Sequence, residues 1–243
     1  MKNHEDETPS PGFKKGKGDY LEKLSLEFKA VEGPLAWATA LESLLKHPAQ
    51  LVYEISGGRR KWVPYLALTV IVGSLFYGFI MGTYSGGTQL WAAPVKLAFG
   101  LIASALLTFP SLYVFTCVNG ADLKIGAVFS LLVLSLALVV LLLAGFAPVL
   151  WIFSQTTHSL VFIGWIHLIF WVISVAFGFR LLSAGFGLLG SAYSEGLTFW
   201  AFVFLLVSFQ MSAILRPILG TSNLFLADEK VFFLTHWFRC MGE

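Results

Sequence analysis

Charge is what this sequence has least of. Asp, Glu, Lys and Arg make up 12% of its 243 residues, against roughly a quarter in a water-soluble domain, which must wet its surface. Hydrophobic residues make up 57%, so much of the surface is built to meet lipid. Cysteine is nearly missing too. Cys117 and Cys240 are the only two, and the expected topology puts them on opposite membrane faces, which leaves no structural disulfide and no C-x-x-C site. The chain also lacks G-x-S-x-G, H-E-x-x-H and Walker sequences. Its five histidines, His4, His47, His158, His167 and His236, scatter without metal-ligand spacing. No catalytic residue, metal ligand or cofactor site is assigned, and neither an enzyme nor a nucleic-acid partner is expected. Nor does an apolar signal-peptide core occur in MKNHEDETPSPGFKKGKGDY, so the first span is expected to direct its own insertion.

Long apolar runs are what the sequence has instead. Crossing about 30 Å of hydrocarbon at about 1.5 Å per residue takes around 20 residues. Five runs reach that length, at Trp62 to Gly82, Trp91 to Val118, Ile125 to Phe153, Leu160 to Ser183 and Leu197 to Leu219. Short connections rich in turn formers, TYSGGTQ, NGADLK and SQTTHS, with the longer AGFGLLGSAYSEG, make neighbouring spans antiparallel. The fold class is therefore all-α, a polytopic bundle of about five spans over residues 62–219.

Before the bundle the composition changes twice. Residues 1–19 are polar and rich in Pro and Gly, too poor in apolar surface to offset chain entropy, and read as a disordered cytosolic tail. Residues 20–61 carry amphipathic interfacial helices. After Pro34, the residues Leu35, Trp37, Ala38, Leu41, Leu44 and Leu45 recur at helical spacing, with Glu42 and Lys46 on the opposite face. His47-Pro48 breaks that helix and starts a second short one, AQLVYEI, ended by Ser56-Gly57-Gly58. Arg59, Arg60 and Lys61 then abut the first span; with Trp37 they are the candidate contacts to lipid headgroups or a partner.

Ten of the 16 Lys and Arg fall in the first 61 residues, while TYSGGTQ and SQTTHS contain none, so the positive-inside rule places the N-terminus in the cytosol. Five spans then put residues 220–243 outside as an external tail. Trp62, Tyr65, Trp91, Trp151 and Trp200 stand near span ends, where interfacial aromatics belong. The expected location is the bacterial cytoplasmic (inner) membrane.

Ionisable groups at span centres cost roughly 2.5 to 3.5 kcal/mol and therefore mark function. No Asp or Glu lies inside a span, which disfavours a proton-coupled pump. Lys96, Arg180 and Arg216 stand close enough to span ends to snorkel outward. His167, with Ser208, Gln210 and Ser212, outlines a polar interhelical path between spans four and five, the alternative being plain interhelical hydrogen bonding. Gly185, Gly187 and Gly190 spell a dinucleotide fingerprint in the wrong context, after a span rather than a strand. Asn119, Asp122 and Lys124 are the only compact polar cluster for lipid chemistry, and a short inward turn explains them. Pro94, Pro110 and Pro148 invite kinks that membrane bundles tolerate.

The order of features, HPAQLVYEISGGRRKW and then five closely spaced spans containing PSLYVFTCVNG and QMSAILRP, resembles the Yip-domain family of polytopic membrane proteins, in particular its bacterial members. The resemblance covers about residues 47–219. It implies a non-enzymatic scaffold or adaptor whose relatives organise membranes through partner binding, and no functional residue carries over by position. The tail beyond the last span departs from the family's better-known members and leaves room for an added external role. Lipids and another membrane or cytosolic protein, or a further copy of the chain, are the expected partners. The competing reading is a channel or transporter subunit for a small solute or ion, with Tyr113, His167, Ser208 and Gln210 along its path.

Overall fold

A backbone in lipid finds no water to bond, so each segment must pair its own N–H and C=O groups, which a helix does. The chain, seen in a computed structural model that describes residues 35–56, 60–118, 124–157, 159–188 and 195–214, is an all-α bundle. Two short helices, α1 (Trp37–Lys46) and α2 (Pro48–Ser56), lead through a single 3₁₀ turn at Arg60–Trp62 into the long ones. These are α3 (Val63–Ser85), α4 (Gln89–Val118), α5 (Ile125–Thr156), α6 (Leu160–Leu188) and α7 (Glu195–Ile214). Helices α3 to α6 are each long and apolar enough to cross a membrane, and the chain is an integral membrane protein. The apolar stretch of α7 is shorter, Gly196–Ser212, and the rest of the expected fifth span lies outside the described residues. So do the two expected tails, 1–19 and 220–243, together with Arg59 and Arg216.

Helix α5 is the centre of the bundle. In its most apolar stretch 72% of the residues are buried, against 28–33% in the other three spans. It packs between α3 and α6, while α4 lies on the other side of α3 and α7 packs on α4. The most extensive contacts therefore run in the row α7, α4, α3, α5, α6, and α6 also touches α3 and α7 through His167 and Trp171. Small residues set the closest approaches. A Cβ added at Gly78 of α3 would meet Pro94 Cα at 2.6 Å, and one at Gly82, a turn later, would meet Gln89 O at 2.7 Å. Between α5 and α6, Gly178 offers its carbonyl to Ser135 Oγ at 2.7 Å. With no hydrophobic drive between helices in lipid, such close van der Waals packing and interhelical bonds are what hold spans together. The turn from α3 to α4 uses Gly86 and Gly87 at φ 63° and 52°, a backbone region glycine enters without strain.

Helices α1 and α2 form a collar across one end of the bundle. Ala40, Leu44, Leu51, Val52 and Ile55 are all buried in the common core. Trp37 Nε1 donates to Thr69 Oγ1 of α3 at 2.9 Å, and Tyr65 OH donates to Leu35 O at 3.3 Å. On the solvent side Lys46 pairs with Glu42 at 2.7 Å, the i,i+4 pairing expected of the polar face, and holds that carboxyl below its ordinary range by hydrogen bond and charge.

Three expectations change. Helix α6 stays helical to Leu188, past the expected end at Ser183, because Gly185 is packed against Leu131 of α5 and Val52 of α2, contacts that outweigh glycine's poor helix propensity. Gly185 and Gly187 thus sit inside a helix, where no phosphate loop can form. Trp62 and Trp200 do not face outward: they are 0% and 3% exposed, whereas Trp91 and Trp151 face outward as expected. Both buried indoles find acceptors, Glu54 Oε2 and Thr108 O, which is what lets so large a polar-tipped ring enter a core.

Gly78→Val should strain the α3–α4 crossing by about 1–3 kcal/mol, as overpacking does. Gly145→Ala, where an added Cβ meets nothing within 4 Å, should be neutral or better. Thermal unfolding in mild detergent reads both.

Candidate functional site

Two places concentrate polar side chains against the apolar background, one at the collar and one near the far end of the bundle. At the collar, Glu54 of α2 is 2% exposed. Its Oε2 accepts from Trp62 Nε1 at 2.5 Å and stands 4.0 Å from Lys61 Nζ. Lys61 Nζ also lies 5.3 Å from the Trp62 ring centroid, within cation–π range. One carboxylate therefore ties α2 to the entry of α3. Arg60 is exposed, and its guanidinium lies across Gly126 at the start of α5, where a side chain would collide with it. Of the basic triplet, then, Lys61 is a structural tie and Arg60 an outward charge.

At the far end, Tyr77 of α3 is fully buried and its hydroxyl lies 3.0 Å from His167 Nδ1 of α6. The two rings also stack, with centroids 5.6 Å apart and planes 26° from parallel. Helix registers show what else shares this level. Gly78 crosses at Pro94, so Tyr77 is level with the turn of α4 that carries Lys96. Trp200 Nε1 bonds Thr108 O, and Ser212 lies twelve residues beyond Trp200 as Lys96 lies twelve before Thr108, in antiparallel helices. Trp171 meets Phe209 with ring centroids 5.1 Å apart, which sets His167, one turn from Trp171, level with the last turns of α7. Tyr77, Lys96, His167 and the Ser208–Ser212 turn thus form one tier contributed by four helices. It lies about 10 Å from the far end of α4, the rise of seven residues from Gln89 to Lys96.

The sequence-derived path residues His167, Ser208, Gln210 and Ser212 are therefore brought to one level, but the hydrogen bond of His167 reaches across to α3. Tyr113 does not join them. It stands seventeen residues along α4 from Lys96, about 25 Å away. Lys96 is 1% exposed, while Val95 and Phe99 beside it are 52% and 58% exposed. Arg180, by contrast, is exposed at the other end. The buried face shared by Gln89 and Lys96, two helical turns apart, is the one sequence signal that reveals the inward lysine. Lys124 is exposed ahead of α5, while Asn119 and Asp122 lie outside the described residues.

Below the tier, polarity turns inward on itself. Along α4, Ser104 donates to Gly100 O at 2.7 Å, Thr108 to Ser104 O at 2.8 Å, Ser111 to Thr108 O at 2.7 Å and Thr116 to Leu112 O at 2.7 Å. Hydroxyls spent on their own helix offer a passing solute no donor. No group of three or more metal-ligating residues occurs among the described residues. Comparison with protein-family models, curated proteins and solved structures finds no match to this chain.

A double-mutant cycle of Tyr77→Phe and His167→Phe should give a coupling of about 0.6–1.5 kcal/mol, the range of interhelical hydrogen bonds in membranes, in unfolding experiments in detergent or bicelles. Additive losses would mean the pair only stacks.

Proposed function

We propose that the chain is a non-enzymatic scaffold or adaptor of the bacterial inner membrane, Yip-like in plan, with its N-terminus cytosolic and the collar holding a protein partner. The observation that carries this reading is that the collar is fixed in place while keeping large apolar side chains outward. Ala40, Leu44, Leu51, Val52 and Ile55 anchor it, yet Leu45, Tyr53 and Trp37 remain 59%, 51% and 40% exposed, and Arg60, which follows α2, is an exposed positive charge. Apolar side chains held outward on an anchored pair of helices can bind a partner with little further ordering cost. The same surface suits lipid headgroups. Deleting residues 1–55 would remove core as well as surface. Leu45→Asn combined with Tyr53→Ser leaves the anchors intact. This variant should lose a stoichiometric partner in mild-detergent co-purification, by about thirtyfold in affinity if the two form a hot spot of about 2 kcal/mol. Undiminished capture by a stably folded variant would refute the collar as partner surface.

The second reading, a channel or transporter subunit, is favoured by one observation, the polar tier itself. Against it stand the self-bonded hydroxyls of α4 and the buried, apolar α5. Purified protein in liposomes should leave permeability at the empty-vesicle level. A solute flux abolished by Gln210→Leu or His167→Leu would instead establish transport.

A further inference from the structure

The depth at which the collar meets α3 decides what its outward side faces. We propose that the Trp37 end of α1 is inserted in the bilayer, with the outer face of the Trp37 ring and Leu41 against the upper acyl chains of the leaflet on the collar side.

The length of α3 sets the depth. Its 23 residues rise about 35 Å, little more than the roughly 30 Å of hydrocarbon that the helix has to cross. Few placements are left. The turn of Gly86, Gly87 and Thr88 after Ser85 belongs outside the hydrocarbon, where water can reach its backbone. Thr69 stands sixteen residues before Ser85, about 24 Å along the helix, so the hydrocarbon extends at least about 6 Å past Thr69 toward the collar. Any tilt of α3 only deepens Thr69.

Trp37 Nε1 donates to Thr69 Oγ1 at 2.9 Å, which brings the indole of α1 to that depth. Thr69 in turn donates to Tyr65 O at 3.0 Å, so neither polar hydrogen lacks an acceptor in a place where no water could supply one. The backbone of α1 stays shallower. Leu35 O accepts from the hydroxyl of Tyr65, four residues nearer the collar end of α3 than Thr69. An indole reaching inward from a backbone held at the boundary is the stance of an interfacial helix, whose apolar side sinks about 5–10 Å. The surface around the ring also continues that of the span. Leu68 and Val72, beside Thr69 on the membrane-crossing α3, face outward, as do Leu35 and Trp37. Lipid that covers the first pair reaches the second. Three sectors then divide α1: Ala40, Ser43 and Leu44 turn to the bundle, Trp37 and Leu41 to lipid, and the Glu42–Lys46 pair to water. This contact goes beyond the scaffold reading and holds whether or not a protein binds at Leu45 and Tyr53.

The test uses the full-length protein in liposomes, with Cys117→Ala and Cys240→Ala and one nitroxide label attached through Leu41→Cys or Glu42→Cys. These neighbours sit at nearly one height on α1 and face different sectors. Collision of the label with oxygen, which concentrates in lipid, is compared with collision with a nickel chelate, which stays in water. The oxygen-to-chelate ratio should be several-fold higher at Leu41 than at Glu42 and should approach that of a label at Leu68→Cys on α3. Equal ratios at Leu41 and Glu42 overturn the insertion. Shielding of Leu41 from both probes means that protein covers this side of α1, and overturns lipid as its occupant. A second measurement needs no label: the emission that the parent loses in Trp37→Phe should be quenched by lipid brominated on the upper acyl chain and spared by acrylamide. The reverse order overturns the proposal. Capture of a protein partner enters none of these readouts, so this inference and the scaffold reading fail separately.

Discussion

The absence of water from the space around the bundle is the constraint on which everything else in this molecule depends. It makes every span a helix, because only a helix closes its own backbone bonds, and it then governs each polar side chain in turn. A hydroxyl in lipid has to bond something within reach, and the nearest acceptor is the carbonyl one turn back. Most of the described span hydroxyls take it: Ser74, Ser104, Thr108, Thr116, Ser130 and Ser174 all donate to the residue four before them. What remains to join one helix to another is therefore a short set of bonds in which the donor is too large or too well placed to bond at home. Trp200 to Thr108, Ser135 to Gly178 and Tyr77 with His167 belong to it.

That scarcity gives shape complementarity the larger role in fixing the row of helices. Apolar burial gains nothing when lipid is as apolar as the neighbouring helix, so contact has to come from closeness. Gly73 lies under a methyl of Val140, Gly178 under Val139, and Gly78 and Gly82 under the backbone of α4 itself. Each glycine marks a contact between two spans adjacent in the row, and α5 receives two of them. A central helix that is approached closely from both sides is left with little surface for lipid, as its burial shows.

Much of this was legible in the sequence and some was not, for one physical reason. Run length and turn residues located the spans to within a few residues, and the Glu42–Lys46 face and the Pro48 start of α2 identified the collar helices, because amphipathic segments display their inward side as a stripe. The spans display none. Apolar on every face, they give no periodic signal of which side turns inward, so Trp62 and Trp200 looked like interfacial aromatics and Lys96 like a snorkelling cation. Tyr77 raised no signal in the sequence at all, being one aromatic among many until α6 brought His167 beside it. The end of α6 escaped for a related reason, since glycines that read as a loop in isolation are small residues in a packed crossing.

The two deeply buried charged side chains among the described residues, Glu54 and Lys96, lie in different settings. Glu54 is compensated by neighbours eight and seven residues away in sequence, Trp62 and Lys61, so the collar's tie is local and forms whenever α2 reaches the start of α3. The level of Lys96 is assembled from α3, α4, α6 and α7, and its bonded pair Tyr77 and His167 is separated by 90 residues. No two of these helices make the tier alone. The tier therefore exists only when all four are in register. The collar end is thus held by a tie local in sequence, and the tier end by the register of four helices.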